Sequence, residues 1–222
     1  MAKPHQVFVG CPFSNPIRKN YDRLKREIER ETPLHVVLAD TTAVSSTDYL
    51  LEHITTLIRE SAACIFDVTG GNPNVSLEVG IAHALPADFI LAFYTRKRRS
   101  AAEKALDKLG ETKPIISDLQ GRNRIEYKQY GPLKEQLLKR YLSRMPYMER
   151  WRRFKKSHSS YERFALQIFE EVRDSGRTLN SRVSATLAGS GITSTDFGKA
   201  LTKERLLTVK RGRQGGWYYP TR

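Results

Sequence analysis

Four stretches of the chain are apolar almost without interruption: HQVFVGCPF (5–13), LHVVLAD (34–40), CIFDVT (64–69) and FILAFYT (89–95). A strand with one face in water alternates apolar and polar residues, whereas a strand covered on both faces does not. These runs are separated by stretches of helical periodicity. IRKNYDRLKREIERE (17–31) places Ile17, Tyr21, Leu24 and Ile28 on one stripe, with charges elsewhere. STDYLLEHITTLIRESA (46–62) is a second amphipathic helix, with Ser46 or Thr47 as its N-cap. KPIISDL (113–119) and NRIEYK (123–128) read as further strands, and GPLKEQLLKRYLSRM (131–145) closes this part as a helix. Buried strands alternating with helices predict a doubly wound α/β domain with a mostly parallel sheet over residues 1–145. Ligands of such sheets bind beyond the carboxyl ends of the strands, which here carry GCPF, ADTT, DVTGGNPN and YTRKR.

The rest of the chain has a different character. Residues 146–158 are basic and polar enough for a linker or a connecting helix. Residues 159–222 predict three helices and then two β-rich runs around a Gly-rich turn, the order of a winged helix-turn-helix module. The chain carries a net charge of +14, and residues 151–222 hold 15 Lys and Arg against 6 Asp and Glu. That imbalance points to a polyanionic partner, nucleic acid (DNA ahead of RNA) or a nucleoprotein complex, although a positive surface that only aids solubility has the same composition. The third helix would offer Ser194, Thr195, Lys199 and Lys203, and the wing Lys210, Arg211 and Arg213. Trp217 and Tyr219 read as residues that pack the wing onto the helices.

Several classes are disfavoured. The two cysteines, Cys11 and Cys64, lie in hydrophobic runs without CxxC or Cys/His spacing, and the five histidines lack ligand spacing, so no metal site is expected. Gly70-Gly71 lacks the Lys-Ser/Thr of a P-loop. No leader-like or membrane-spanning segment is expected, which makes the chain a cytoplasmic protein; a homo-oligomer is compatible with it.

The densest functional signal lies in FDVTGGNPNVSLEVGIAHAL (66–85). Glu78 is a carboxylate amid Val75, Leu77, Val79, Ile81, Ala82 and Leu85, and burying it unpaired costs several kcal/mol or more. Either it faces a polar cleft or the helix is not buried there. Asn72-Pro73 reads as an N-cap followed by the first helical turn, whose free N–H groups favour an anion. Asp67, Asn74 and, from the first strand's end, Gly10 and Phe13 would border the same crevice, with Phe13 placed to stack on a base. The competing reading has Asp67 capping a turn, Phe13 in the core and Glu78 paired with a surface base.

The pattern D-V-T-x-x-N-P-N-V-x-x-E-x-G-x-A-x-A-L (67–85) and the opening V-F-V-G-C-P-F resemble the TIR-like and nucleoside deoxyribosyltransferase-like group of nucleotide-binding α/β domains, over roughly residues 5–142. The resemblance implies that Glu78 is the nucleophile at the anomeric carbon, or the anion that stabilises it, and that Phe13 lines the base pocket. It implies an N-glycosidic bond of NAD, a nucleoside or a nucleotide as the target, with no separate cofactor. The acidic residues that the deoxyribosyltransferases carry just before the glutamate helix are replaced here by GGNPNVS. Fusion to a winged helix suggests recruitment to nucleic acid and a place in bacterial defence. The alternative is a non-catalytic regulator that senses a nucleotide and binds DNA.

Overall fold

The computed structural model describes residues 2–39, 47–95, 124–210 and 215–220. The expected strand at 113–119, the RKRR cluster at 96–99, Ser46, Arg211 and Arg213 lie outside the described residues. The chain begins β1 (Lys3–Gly10), α1 (Ile17–Glu31), β2 (His35–Leu38), α2 (Thr47–Glu60), β3 (Ser61–Asp67), α3 (Pro73–Ala84), β4 (Phe89–Tyr94), β5 (Arg124–Tyr127) and α4 (Tyr130–Gln136). The five strands form one sheet in the order β2-β1-β3-β4-β5, every neighbouring pair parallel. This is the doubly wound α/β fold that the uninterrupted apolar runs predict.

Strand geometry divides the core in two, because successive side chains leave opposite faces. Val7, Val9, Ala63, Ile65, Ile90 and Ala92 face α1 and α4. Phe8, Cys64, Phe66, Phe89 and Leu91 face α2 and α3. Both faces are covered, which is why the central strands show no polar alternation. The order also creates a topological switch point. From β1 the chain goes to β2 on one side and then returns to β3 on the other, so the carboxyl ends of β1 and β3 diverge into a crevice.

Beyond α4 follow a π-helical turn (Leu137–Tyr141), a 3₁₀ turn (Leu142–Arg144), α5 (Pro146–Ser157), α6 (Glu162–Ser175), α7 (Asn180–Thr186) and α8 (Ser194–Lys203), then an antiparallel hairpin of β6 (Thr208–Lys210) and β7 (Gly216–Tyr218). Thr178 pairs with Trp217 through reciprocal backbone hydrogen bonds of 3.1 and 2.8 Å, adding one rung beside the hairpin. Three helices followed by a hairpin is the element order expected for this third of the chain.

Residues 146–157 are a helix with Tyr147, Trp151 and Phe154 fully buried. Each such burial stabilises by about 1.5–3 kcal/mol. These rings join the core below the sheet to Phe169, Val172, Phe197 and Trp217 in one continuous cluster. Polar contacts follow the same seam. The Arg173 guanidinium donates to the Glu29 carbonyl at 2.7 Å, the Tyr219 hydroxyl to that of Pro33 at 3.0 Å and the Tyr147 hydroxyl to that of Leu206 at 2.6 Å. The Tyr219 ring stacks on His5 at 3.7 Å, and burial holds that imidazole down to about 3, so the stacked ring is neutral. Among the described residues no helix is long and apolar enough to cross a membrane.

Candidate functional site

The crevice is built by the turn that follows β3. Gly70 and Gly71 take φ of 75° and 63°, left-handed values that a side chain disfavours, and reverse the chain toward α3. Asn72 then caps the helix: its Oδ1 accepts from the N–H groups of Asn74 at 3.0 Å and Val75 at 3.3 Å, and Pro73 opens the first turn. Asn72 is thereby engaged, while Asn74 stands exposed on the first turn.

The buried residues of α3 are Val75, Glu78, Val79 and Ala82, the i, i+3, i+4, i+7 stripe of a helix laid on a sheet. Glu78 therefore points at the sheet, while Leu77, expected among the apolar neighbours, is 54% exposed. The carboxylate is only 8% exposed and lies over Gly10, the last residue of β1. A Cβ at position 10 would come within 1.9 Å of Glu78 Oε2 and 2.8 Å of Phe66 Cδ1, so only glycine leaves the carboxylate its place. Glu78 Oε2 has no hydrogen-bond partner among the described residues. Burial alone pushes its carboxyl up to about 7. A buried acceptor without a donor, at the switch point of a parallel sheet, makes Glu78 the candidate centre of a ligand site.

Asp67 is placed differently from the sequence expectation. As the last residue of β3 it shares the parity of Ala63 and Ile65 and turns to the α1 face, away from Glu78. It is fully buried, and its Oδ2 accepts from the Tyr127 hydroxyl at 2.5 Å. Its Oδ1 accepts from the Thr69 N–H at 3.0 Å and the Thr69 hydroxyl at 2.5 Å. Thr69 Oγ1 in turn accepts from the Tyr94 N–H at 2.7 Å. Burial raises the Asp67 carboxyl above the usual carboxylate range, and these hydrogen bonds oppose it. The expected crevice ligand is thus a tie between the loop after β3 and the ends of β4 and β5.

Phe13 stands at the mouth of the loop after β1, 47% exposed, with the Arg18 guanidinium 5.1 Å from its ring centroid. Arg18 Nε also binds Asp22 at 2.9 Å. Cys11 lies beneath this loop, and burial pushes its thiol up to about 12 against the pull of Arg18, so it is an inert neutral thiol. Arg18 and Tyr127 escape a sequence reading. Arg18 is signalled only by its place in the first turn after the loop, and Tyr127 meets Asp67 from 60 residues away.

A second concavity of about 820 Å³ lies between α8 and the hairpin. Ser194, Thr195, Lys199, Lys203 and Lys210 all line it, so the described nucleic-acid candidates do converge on one groove. The cap of α8 is Thr193, whose Oγ1 accepts from the Asp196 N–H at 3.1 Å. Trp217 is buried against Phe197 and Gly198, where a Cβ would come 3.0 Å from the indole, so it forms the floor. Among the described residues no three His, Cys, Asp or Glu side chains converge on a position for a metal.

No protein-family profile and no curated protein matches the chain. Among solved structures it is similar to a 2-desoxiribosyltransferase from Leishmania mexicana, with a TM-score of 0.48 and 12% identity over 63% of this chain and 100% of that one. It is also similar to a conserved protein from Enterococcus faecalis V583, with a TM-score of 0.43 and 16% identity over 61% of this chain and 98% of that one. At these scores the fold assignment rests on the strand order and not on either likeness.

Proposed function

We propose that the switch-point crevice binds a nucleoside, a nucleotide or NAD, that Glu78 cleaves or transfers its N-glycosidic bond, and that the groove of α8 and the hairpin docks the protein on nucleic acid as a winged helix does. The observation that carries the first part is the buried, unpartnered Glu78 carboxylate above Gly10. In its ionised form the carboxylate gives an electron pair to the anomeric carbon as the bond to the base nitrogen breaks. The bonding pair leaves with the base; the base of a nucleoside or nucleotide then takes a proton from solvent, whereas the pyridinium of NAD leaves as neutral nicotinamide and needs none. Water or an acceptor base then displaces the glutamate and restores the carboxylate. Low exposure strengthens the attraction between this anion and the developing oxocarbenium charge. Phe13 offers an exposed ring for the base, while the N–H groups of the first turn of α3 are already taken up by Asn72, so the helix start adds no free donor for an anionic substituent.

A second reading, a nucleotide-sensing DNA-binding regulator, is favoured by one observation. Both oxygens of Asp67 are occupied, so among the described residues the crevice has a single free carboxylate and no evident acid to protonate the leaving base. Base release from a panel of NAD, nucleosides and nucleotides, with and without DNA, separates the two. Turnover on any member supports glycosidic chemistry. Saturable binding with no base released from any of them leaves the regulator.

A further inference from the structure

The opposite edge of the sheet, where the strands begin, carries another concavity of about 520 Å³. One wall is apolar, formed by Phe89 and Ile90 at the start of β4 and Ile125 of β5. The other is the helical segment after β5, whose Gln136, Arg140 and Arg144 recur every four residues and share a face. Arg124, the first residue of β5, completes a rim of three guanidinium groups.

The shape of this wall is unusual. A π-helical turn at Leu137–Tyr141 is set between α4 and a 3₁₀ turn, and such turns are rare and recur at functional sites. Tyr141 of that turn lines the cavity, and its hydroxyl donates to the Cys64 carbonyl at 3.2 Å, pinning the widened turn to β3. The charges are incompletely matched. Arg124 pairs with Glu126 at 2.8 Å, but Arg140 and Arg144 are exposed and join no ion pair among the described residues. Asp88 is the sole carboxylate among the described residues of the lining.

Two like charges without an ion-pair partner among the described residues, Arg140 and Arg144, beside a third that is already paired, repel one another around a concave, partly apolar surface, and an anion seated between them removes that repulsion. Guanidinium groups present planar forks that match phosphate oxygens in pairs. The volume lies in the range of about 300–1,000 Å³ typical of small-molecule sites. We propose that this cavity is an anion site for a small phosphorylated molecule, separate from the Glu78 crevice. Arg140 and Arg144 grip the phosphate there, and the Phe89–Ile125 wall faces the organic part.

Calorimetric titration of the full chain with inorganic pyrophosphate tests the site directly. Saturable binding to one site is expected, weakened at least tenfold in an Arg140→Gln/Arg144→Gln double variant. Glu78→Gln and a Lys199→Ala/Lys203→Ala double variant should leave it unchanged. Both arginines are exposed, so the double variant should melt like the wild type; should it unfold, Arg144→Gln alone is expected to weaken binding by a smaller factor. Absence of saturable binding, or equal affinity in wild type and double variant, overturns the proposal. So does displacement of pyrophosphate by a short DNA duplex together with lost DNA affinity in the double variant, which would make this edge part of a nucleic-acid track.

Discussion

The crevice above Gly10 and the groove beside α8 invite opposite kinds of recognition. In the crevice one carboxylate is withdrawn from water, left without a donor and fitted against a residue that must be glycine. In the groove the charged groups are exposed lysines, and the packed element is the neutral Trp217 floor. A buried charge is energetically expensive and held in one position, so it selects one atom of a ligand. Exposed cations are individually weak, mobile and screened by salt, so they collect a polyanion by their number without choosing among its atoms. The two halves of the proposed function are therefore expected to fail in different ways.

The largest effect belongs to Glu78→Gln. Any glycosidic turnover should fall by about 10³ or more, as for removal of a nucleophile, with the fold retained. The same variant tests the stability side of the comparison. Because the Glu78 carboxyl rises from an ordinary 4.5 to about 7 on folding, the folded state holds a proton across that window that the unfolded state has released. Wild-type stability contributed by this group thus falls as pH rises from about 4.5 to 7 and stays low above it. Glu78→Gln should be more stable than wild type at pH 8, by on the order of 1–3 kcal/mol, and no more stable at pH 4. Turnover should climb as pH rises through about 7, since only the ionised form attacks. Denaturant titrations at both pH values check the first statement and a pH–rate profile the second. A variant with wild-type turnover would remove Glu78 from the chemistry.

Gly10→Ala comes next. The added methyl must displace either the carboxylate or Phe66, so a stability loss of about 1–3 kcal/mol is expected together with loss of crevice binding. Nucleic-acid affinity at the distant groove should be untouched. Loss of both activities in a folded variant would show that the two regions are not separable.

The smallest effect on stability and the mildest on function should come from Lys199→Ala/Lys203→Ala. Both side chains are exposed, so stability should stay within about 0.5 kcal/mol. Duplex DNA affinity should weaken, and the slope of log affinity against log salt should shrink by about 0.9 for each phosphate that is no longer neutralised. A salt-independent affinity in the wild type would turn this groove toward a protein partner.

Much of this architecture is legible along the chain because it is written in local periodicity. The stripe Ile17, Tyr21, Leu24, Ile28 is wholly buried in α1, and the apolar runs form neighbouring parallel strands. Asn72 capping α3 follows from Asn-Pro alone. The placement of Asp67 does not, because its direction depends on the parity at which β3 ends and on Tyr127, which reaches it from across the sheet. Residues 146–158 read as basic and polar, yet their three aromatics lie at helical spacing and are buried. Net polarity conceals a periodic apolar face.

The sequence by itself determined the layers, since uninterrupted apolar strands must be covered on both faces wherever they sit, and it determined that a charged residue would lie on α3. Which way that residue points was settled only by tertiary structure. The strand order places β1 beside β3, the missing Cβ at Gly10 opens a space there, and the buried stripe of α3 carries Glu78 into it. Helical periodicity is a property of neighbours within a few residues and can be read along the chain. The meeting of positions 10 and 78 is a packing event between distant segments, and only the folded sheet brings it about.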